Sequence, residues 1–541
     1  MKALKHIAAL LACFMMYTAG HAVQIRREPG YLIPESFLPT DRDNPAVWSS
    51  FNTPNTRGAA PGDYATSDIP RTGTQEYLLV LVDFTDCRFS IKDTTALLER
   101  FNRMYNEHGY TENTSFTRSG VTYYGATGSV SDYFRDQSYG QYNPQFKIVG
   151  PIHPSKSYSY YGYGNKDTNV ESMIREVCDI LMENDTVKLS QYTRNGKIDQ
   201  LSIIYAGRGE NYKNSDVNTI WPHASVFNYG KYGIGDVKYL CTCELFWDSD
   251  TILDGIGTFC HEFSHTLGLP DFYNTGSASD SESNAAMGSW SLMDYGTYEN
   301  GGFSPVGYTA FEKYSLGWLD LEEITYSGYY TLDEISRRPD PDADIHTAYR
   351  LNTGNDNQFL ILENHVKTGW YKYHATQGLM VTSVSYSYSN WDLNNVNNSV
   401  KRYRILPADN NYSRTSNAGD LFPYNDIDSI TTLGNPKLSV ISSFPSYSIY
   451  GIRRNGTLVS FLASPDMPSG VTGTYAQDIS INIENGVLTV TAPAASRVSV
   501  HDISGKTVLE TVTSQPTQQF TLPGQGIWIV RCGSMTRKVR L

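Results

Sequence analysis

"CHEFSHTLGLPD", residues 260–271, sets two histidines four positions apart, with an acid beside the first, then a glycine and a proline before a second acid. On a helix, His261 and His265 project from one face, one turn apart. That separation suits a zinc ion taking two imidazole nitrogens at roughly 2.0–2.1 Å each. Glu262 sits next to the first ligand, where it can reach a water on the metal without coordinating. A carboxylate so placed can accept the water's proton and later donate it to a leaving amine. Gly268 lies where a helix can end on a left-handed residue. Pro270 cannot prolong the helix and biases Leu269 towards extended backbone. The chain should therefore turn back and bring Asp271 to the histidines. In a continued helix Asp271 would lie about 240° round the axis from His265 and face away. The stretch predicts zinc held by His261, His265 and Asp271, with Glu262 as general base and then general acid. Glu282 is the downstream rival for third ligand, and the plain alternative is two partly exposed helix histidines.

Outward from this stretch, the pattern mixes helices and strands. "EYLLVLVDF" (76–84) and "QLSIIYAGRGE" read as buried strands, and "QFKIVGPI" as a third. "SVSDYFRDQSYGQ" reads as a short helix capped by Ser129 or Ser131 and ending on Gly140. In "NVESMIREVCDILMEN" the residues Val170, Met173, Ile174, Val177 and Ile180 recur at helical spacing. "TILDGIGTFCHEFSHTLG" (251–268) is predicted to be a second long helix. From Tyr326 the pattern changes to short alternating strands such as "FLILENHV", "GLMVTSVSY" and "GTLVSFLAS". "SPDMPSGVTG" has linker composition. The resulting division is a signal peptide (1–22), an extended leader or pro-segment (23–72), an α+β domain carrying the metal motif (73–325), a β-sandwich (326–463), a linker (464–476) and a C-terminal module of six or seven short strands (477–541).

The 541 residues are 40% hydrophobic, 13% aromatic and 18% charged, a globular composition whose forty tyrosines favour β structure. A net charge of −13 argues against nucleic acid as a partner, which needs a basic face. At the N-terminus Lys2 and Lys5 precede an apolar run from Ile7 to Met16 and then Gly20-His21-Ala22. This pattern predicts export with cleavage near Ala22 and a secreted or cell-surface location. No later run approaches the roughly 18 apolar residues of a membrane-spanning helix, so no transmembrane anchor is expected. Six cysteines remain after cleavage: Cys87, Cys178, Cys241, Cys243, Cys260 and Cys532. Their pairing is left open. Cys241 and Cys243 are assigned to opposite faces of a strand and so not to each other, and no CxxC pair offers a cysteine zinc site.

Two further patterns extend the metal motif. Asp271 stands where metzincin peptidases usually have a third histidine. In "SWSLMDYG", Met293 and Tyr295 resemble the methionine turn beneath a metzincin zinc and the tyrosine two residues later. The chain resembles secreted bacterial metallopeptidases of the immune inhibitor A family. The resemblance is carried in order by "SVSDYFRDQSYGQYNPQFKIVGPI", "LSIIYAGRGE…TIWPHA", "HEFSHTLGLPDFY", "GSWSLMDYG", "PVGYTAFEKYSLGWL", "FLILENHVKTGWYKY", "LPADN" and "GDLFP". It covers roughly residues 75 to 465 and implies a zinc endopeptidase acting on proteins or peptides, with a zincin-type domain followed by a β-sandwich. Tyr295 would then stabilise the tetrahedral oxyanion. His223 in "WPHA" is the second choice for that role and is read here as structural.

One departure concerns calcium. Where family members often carry an acidic D-x-N-x-D-G-x-x-D loop, this chain has "QYTRNGKIDQ", with Gln191, Thr193 and Asn195 at positions that would be acidic and only Asp199 kept. Calcium is therefore not expected at Gln191–Asp199, since a hard dication wants several charged oxygens; other sites are left open. The last module resembles the sorting domain of type IX secretion cargo, through "VSVHDISGKTV", "LPGQGIWIV" and "RKVRL", and implies outer-membrane secretion machinery as a partner. A plain β-sandwich that stabilises the enzyme or binds carbohydrate is the alternative. The rival for the whole chain is a catalytically idle surface adhesin on a peptidase fold. Loss of either histidine or of Glu262 would favour it, and all three are present.

Overall fold

The apolar run Leu78–Val82 is the second half of a strand and is buried on both faces. The structure, a computed structural model, describes residues 71–465 apart from short stretches, a few residues between 65 and 70, most of 480–540, and the strands Ile25–Arg27 and Tyr31–Ile33. The expected signal segment 1–22, most of the leader 23–72, the linker beyond residue 465 and Glu282 lie outside the described residues.

Six strands build the main sheet: β1 (Gly73–Val82), β2 (Tyr142–Ile152), β3 (Lys197–Arg208), β4 (His223–Lys231) and β5 (Ile234–Leu245), in the order β2-β1-β3-β5-β4, and the two-residue strand Thr193–Arg194, which pairs antiparallel with β3. Neighbours in that order run parallel except β4, which pairs antiparallel with β5. Both faces are covered, which is why the strands read as continuous apolar runs rather than alternating ones. Leu79, Leu81, Ile204 and Leu240 enter one core, together with α1 (Thr94–Asn106), α2 (Val130–Gln137) and α4 (Gly257–Leu267). Leu78, Val80, Leu201 and Ile203 enter the other, against α3 (Val170–Glu183).

Local sequence accounts for these helices. Ser129 caps α2 and forms a reciprocal capping box with Asp132. Helix α1 was not foreseen, although its signals are present: Asp93 caps it, and Leu97, Phe101, Met104 and Tyr105 recur at helical spacing on its buried face. Two expectations need correction. Helix α4 begins at Gly257 and not near Thr251, because the preceding backbone is taken up by the end of β5: Phe246 N–H donates to Ile252 O at 3.0 Å and Asp254 N–H to Glu244 O at 2.7 Å. Cys241 and Cys243 lie in the same core cluster, not on opposite faces, since residues two apart on a strand point the same way. No disulfide joins the six described cysteines.

Beyond residue 320 a five-stranded sheet (Glu322–Glu323, Ala348–Asn352, Gln358–His365, Gly378–Ser385, Tyr403–Ile405) faces a three-stranded one (Gly328–Leu332, Leu458–Ser464, Ser448–Asn455) across a shared apolar cluster. The other side of the larger sheet contributes Phe359, Ile361, Met380 and Val384 to the same core as Phe259 and Phe263 of α4. One apolar core thus crosses the boundary expected at residue 325. The strands between Ser480 and Arg540 form a three-stranded and a four-stranded sheet around a separate core. No helix among the described residues is long and apolar enough to cross a membrane.

Helix α4 is pressed against the loop Tyr295–Gly302, and two glycines permit the approach. A Cβ on Gly255 would stand 2.2 Å from the carbonyl carbon of Gly302, and one on Gly257 2.0 Å from the carbonyl oxygen of Thr297. Both obstacles are backbone and cannot swing aside. Gly257→Ala is expected to cost about 1–3 kcal/mol, the usual penalty of overpacking, and to lower the unfolding temperature. Gly354→Ala, with open space around it, should not. Equal melting temperatures for the two variants in calorimetry would show that the close approach is not needed.

Candidate metal centre

Helix α4 stops at Gly268, which takes φ 105°, a left-handed conformation a side chain would resist. The Gly268 N–H donates to His265 O at 2.9 Å and the Leu269 N–H to Ser264 O at 3.1 Å, closing the last turn. Pro270 follows and the chain reverses. Asp271 arrives with only 1% of its surface exposed, its Oδ1 3.1 Å from His261 Nε2 and 3.3 Å from His265 Nε2.

Backbone carbonyls set the histidine protons. His261 Nδ1 lies 2.9 Å from Leu292 O and His265 Nδ1 2.8 Å from Leu269 O. A carbonyl only accepts, so each Nδ1 carries hydrogen and donates, leaving each neutral ring a bare lone pair on Nε2. Two lone pairs and a carboxylate oxygen therefore point at one buried spot, and Asp271 Oδ1 has no hydrogen-bond donor there. Ligands about 2.0–2.2 Å from a tetrahedral zinc stand about 3.3 Å apart, close to the spacing found. The residues fit a zinc ion. Their mutual influence is also visible in their acidity: burial opposes ionisation of Asp271, but His265 and His261 hold its carboxyl well below the usual range. Burial likewise disfavours charge on His261, but the Asp271 and Glu262 carboxylates together raise its pKa.

The stretch "SWSLMDYG" supports this turn from beneath. Leu292 supplies the carbonyl for His261, and Met293 O accepts from Phe272 N–H at 2.7 Å, next to Asp271. Glu262, 6% exposed, lines a small cleft with His261, Thr258, Asn211, Trp221, Pro222, Tyr273, Asp294, Thr297 and Tyr298. Tyr295 is not in that lining. It is buried, its ring 6.4 Å from that of Tyr273 and 5.2 Å from the Arg414 guanidinium carbon. Tyr273, Tyr298 and Asn211 carried no motif that could have marked them. His223 has its Nδ1 donating to Trp221 O at 2.7 Å and its Nε2 3.0 Å from the Tyr239 hydroxyl. In the loop at Gln191–Asp199, the Asp199 carboxylate accepts from Arg194 Nε at 2.6 Å.

Residues 63–322 match the sequence profile of the immune inhibitor A peptidase M6 catalytic domain. That match covers a little under half of the 541-residue chain. The chain is 25% identical over 318 residues to the pre-pro-metalloprotease PrtV of Vibrio cholerae serotype O1, a match spanning 50% of this chain and 33% of that protein. It is 28% identical over 216 residues to immune inhibitor A of Bacillus thuringiensis subsp. alesti, spanning 32% of this chain and 31% of that protein. The matches span about a third of the length of these curated relatives. Together they support a metallopeptidase, for which a metal cofactor is implied.

Asp271→Ala is expected to weaken zinc binding by more than about 100-fold, beyond what loss of an outer partner does, while Glu282→Ala leaves the metal in place. Metal content after dialysis checks both. Zinc kept by the first variant and lost from the second would reassign the third ligand.

Proposed function

We propose that the chain is a secreted zinc endopeptidase that hydrolyses peptide bonds of extracellular proteins. The observation carrying this reading is the convergence of His261 Nε2, His265 Nε2 and Asp271 Oδ1 on one buried point, with Glu262 in the cleft beside it. The three would hold the ion. Zinc bound there supplies Lewis acidity, lowering the pKa of a water towards 7 and drawing charge from a carbonyl oxygen.

The remaining work belongs to the chain itself. Glu262 accepts a proton from the attacking water and donates it to the departing amine, so one carboxylate serves both halves of the reaction. Its neighbour His261 is fixed by Leu292 O, so the base and the ligand keep their relative positions. Trp221, Tyr273 and Tyr298 give the cleft aromatic walls that suit peptide side chains. A hydroxyl donor would meet the oxyanion as charge develops. Tyr295 is the choice from sequence for that donor, and Tyr298 and Tyr273 are the tyrosines in the cleft wall.

Wild type is expected to digest casein and Glu262→Ala to lose at least about 100-fold in rate, the contribution of a positioned general base. Zinc should be retained in both. Equal rates in the two proteins would sink the mechanism.

The export reading follows from residues 1–22 and from the sorting-type pattern of the last module. It predicts a mature protein lacking residues 1 to about 22 and, in time, the module from about Ser464 onward, where linker composition offers a cutting site. Mass spectrometry finding the Cys532 segment on every secreted molecule would count against that removal.

A further inference from the structure

Asp271 is gripped by a residue 123 positions away, outside the segment matched to the peptidase domain. The Asp271 backbone N–H donates to Asn394 Oδ1 at 2.7 Å, and Asn394 Nδ2 donates to Asp271 Oδ2 at 2.5 Å. The two bonds fix the orientation of the amide. A backbone N–H only donates, so the oxygen must face it, and the NH2 group is left facing the carboxylate. Of the two carboxylate oxygens, Oδ2 is thereby engaged, and Oδ1 is the one turned to the histidines.

The position of Asn394 is itself built. It follows the short helix Tyr388–Asp392, whose Trp391 is buried in the core shared with α4. Its φ of 55° is a left-handed conformation that asparagine tolerates better than most residues. Its carbonyl accepts from Thr275 Oγ1 at 2.7 Å. Neighbours in the same segment bind the same turn: Asn398 Oδ1 accepts from Thr275 N–H at 2.8 Å, and Asn397 Nδ2 donates to Phe272 O at 2.7 Å. Asn394 is 4% exposed and Asp271 1%, so water does not compete for either group.

We propose that Asn394 is a positioning residue for the metal: it presents Asp271 as a one-oxygen ligand through Oδ1 by occupying Oδ2 and the Asp271 backbone N–H. The proposal rests on the reading of Asp271 as a ligand. Without Asn394 the carboxylate is free to rotate or to offer both oxygens, and the buried N–H loses its acceptor. Aspartate at this position would set a carboxylate against Oδ2 in place of a donor. The β-rich unit that supplies Asn394 is then part of the metal centre and not only an appendage to it.

The test uses the full chain with zinc and with cobalt as a spectroscopic stand-in. Asn394→Gly removes the amide yet keeps the left-handed backbone unstrained. Asn394→Asp keeps the shape and reverses the donor. Both are expected to weaken zinc binding about ten- to hundredfold, as loss of an outer-shell partner does, and to shift the visible absorption of the cobalt form. Asn398→Ala loosens the same strap without touching Asp271, so it should lower the melting temperature of the metal-free protein while leaving zinc affinity and the cobalt spectrum unchanged. Wild-type affinity and spectrum in both Asn394 variants, with Asp271→Ala losing metal, would overturn the role of Asn394 alone. Metal retained by Asp271→Ala would overturn the ligand reading beneath it. An equal loss of affinity in Asn398→Ala would show a merely structural strap and would also overturn the proposal.

Discussion

Two backbone carbonyls decide what this site can be. Leu292 O and Leu269 O each take the Nδ1 hydrogen of a histidine, and the Nε2 lone pairs must then face each other and Asp271. Three electron-rich atoms meeting in a buried place is a costly arrangement by itself. A dication turns the same arrangement into a favourable one. The tautomers are set by main chain, which cannot rotate away as a side chain could, so the geometry is held before any metal arrives.

Much of the surrounding fold keeps those carbonyls in place. The Leu292 carbonyl belongs to a loop that continues into Tyr295–Gly302, and that loop lies against α4 only because Gly255 and Gly257 lack side chains. The loop is also tied to the next helix: Ser291 Oγ donates to Glu312 Oε1 at 2.6 Å, and Glu312 shares a capping box with Thr309. Burial pushes the Glu312 carboxyl up to about 7 against those hydrogen bonds. The same helix reaches the β-rich unit, where Ala310 N–H donates to Glu363 Oε2 at 2.8 Å. Loop, site helix and second unit form one connected polar and apolar framework. That framework explains why an apolar core runs across residue 325 instead of ending there.

Within the site, local and distant contributions separate cleanly. His261, Glu262, His265, Gly268, Pro270 and Asp271 fall within eleven consecutive positions, and their arrangement follows from helical period and from two residues that end a helix. Asn394, Tyr298 and Asn211 reach the cleft or Asp271 from separate segments, Tyr273 from just past the turn, and each looks ordinary in sequence. The same division holds for the fold. Strands buried on both faces were legible as unbroken apolar runs, and the amphipathic helix Val170–Glu183 as a 3.6-residue period. The start of α4 was not legible, because the residues before it satisfy their backbone groups against the end of a neighbouring strand.

The sequence by itself determined the histidine-bearing helix, its end at Gly268 and the reversal that follows, since these depend on dihedral preferences acting over a few residues. It also determined the mixed α and β character of the first unit and the β character of the rest, through periodicity. Tertiary structure alone decided which oxygen of Asp271 faces the histidines, which tyrosines line the cleft, and that a β-rich unit grips the site. The grip on Asp271 depends on hydrogen bonds between residues 123 positions apart, and the cleft lining on segments brought together by folding; such pairings leave no pattern in the local order of the chain.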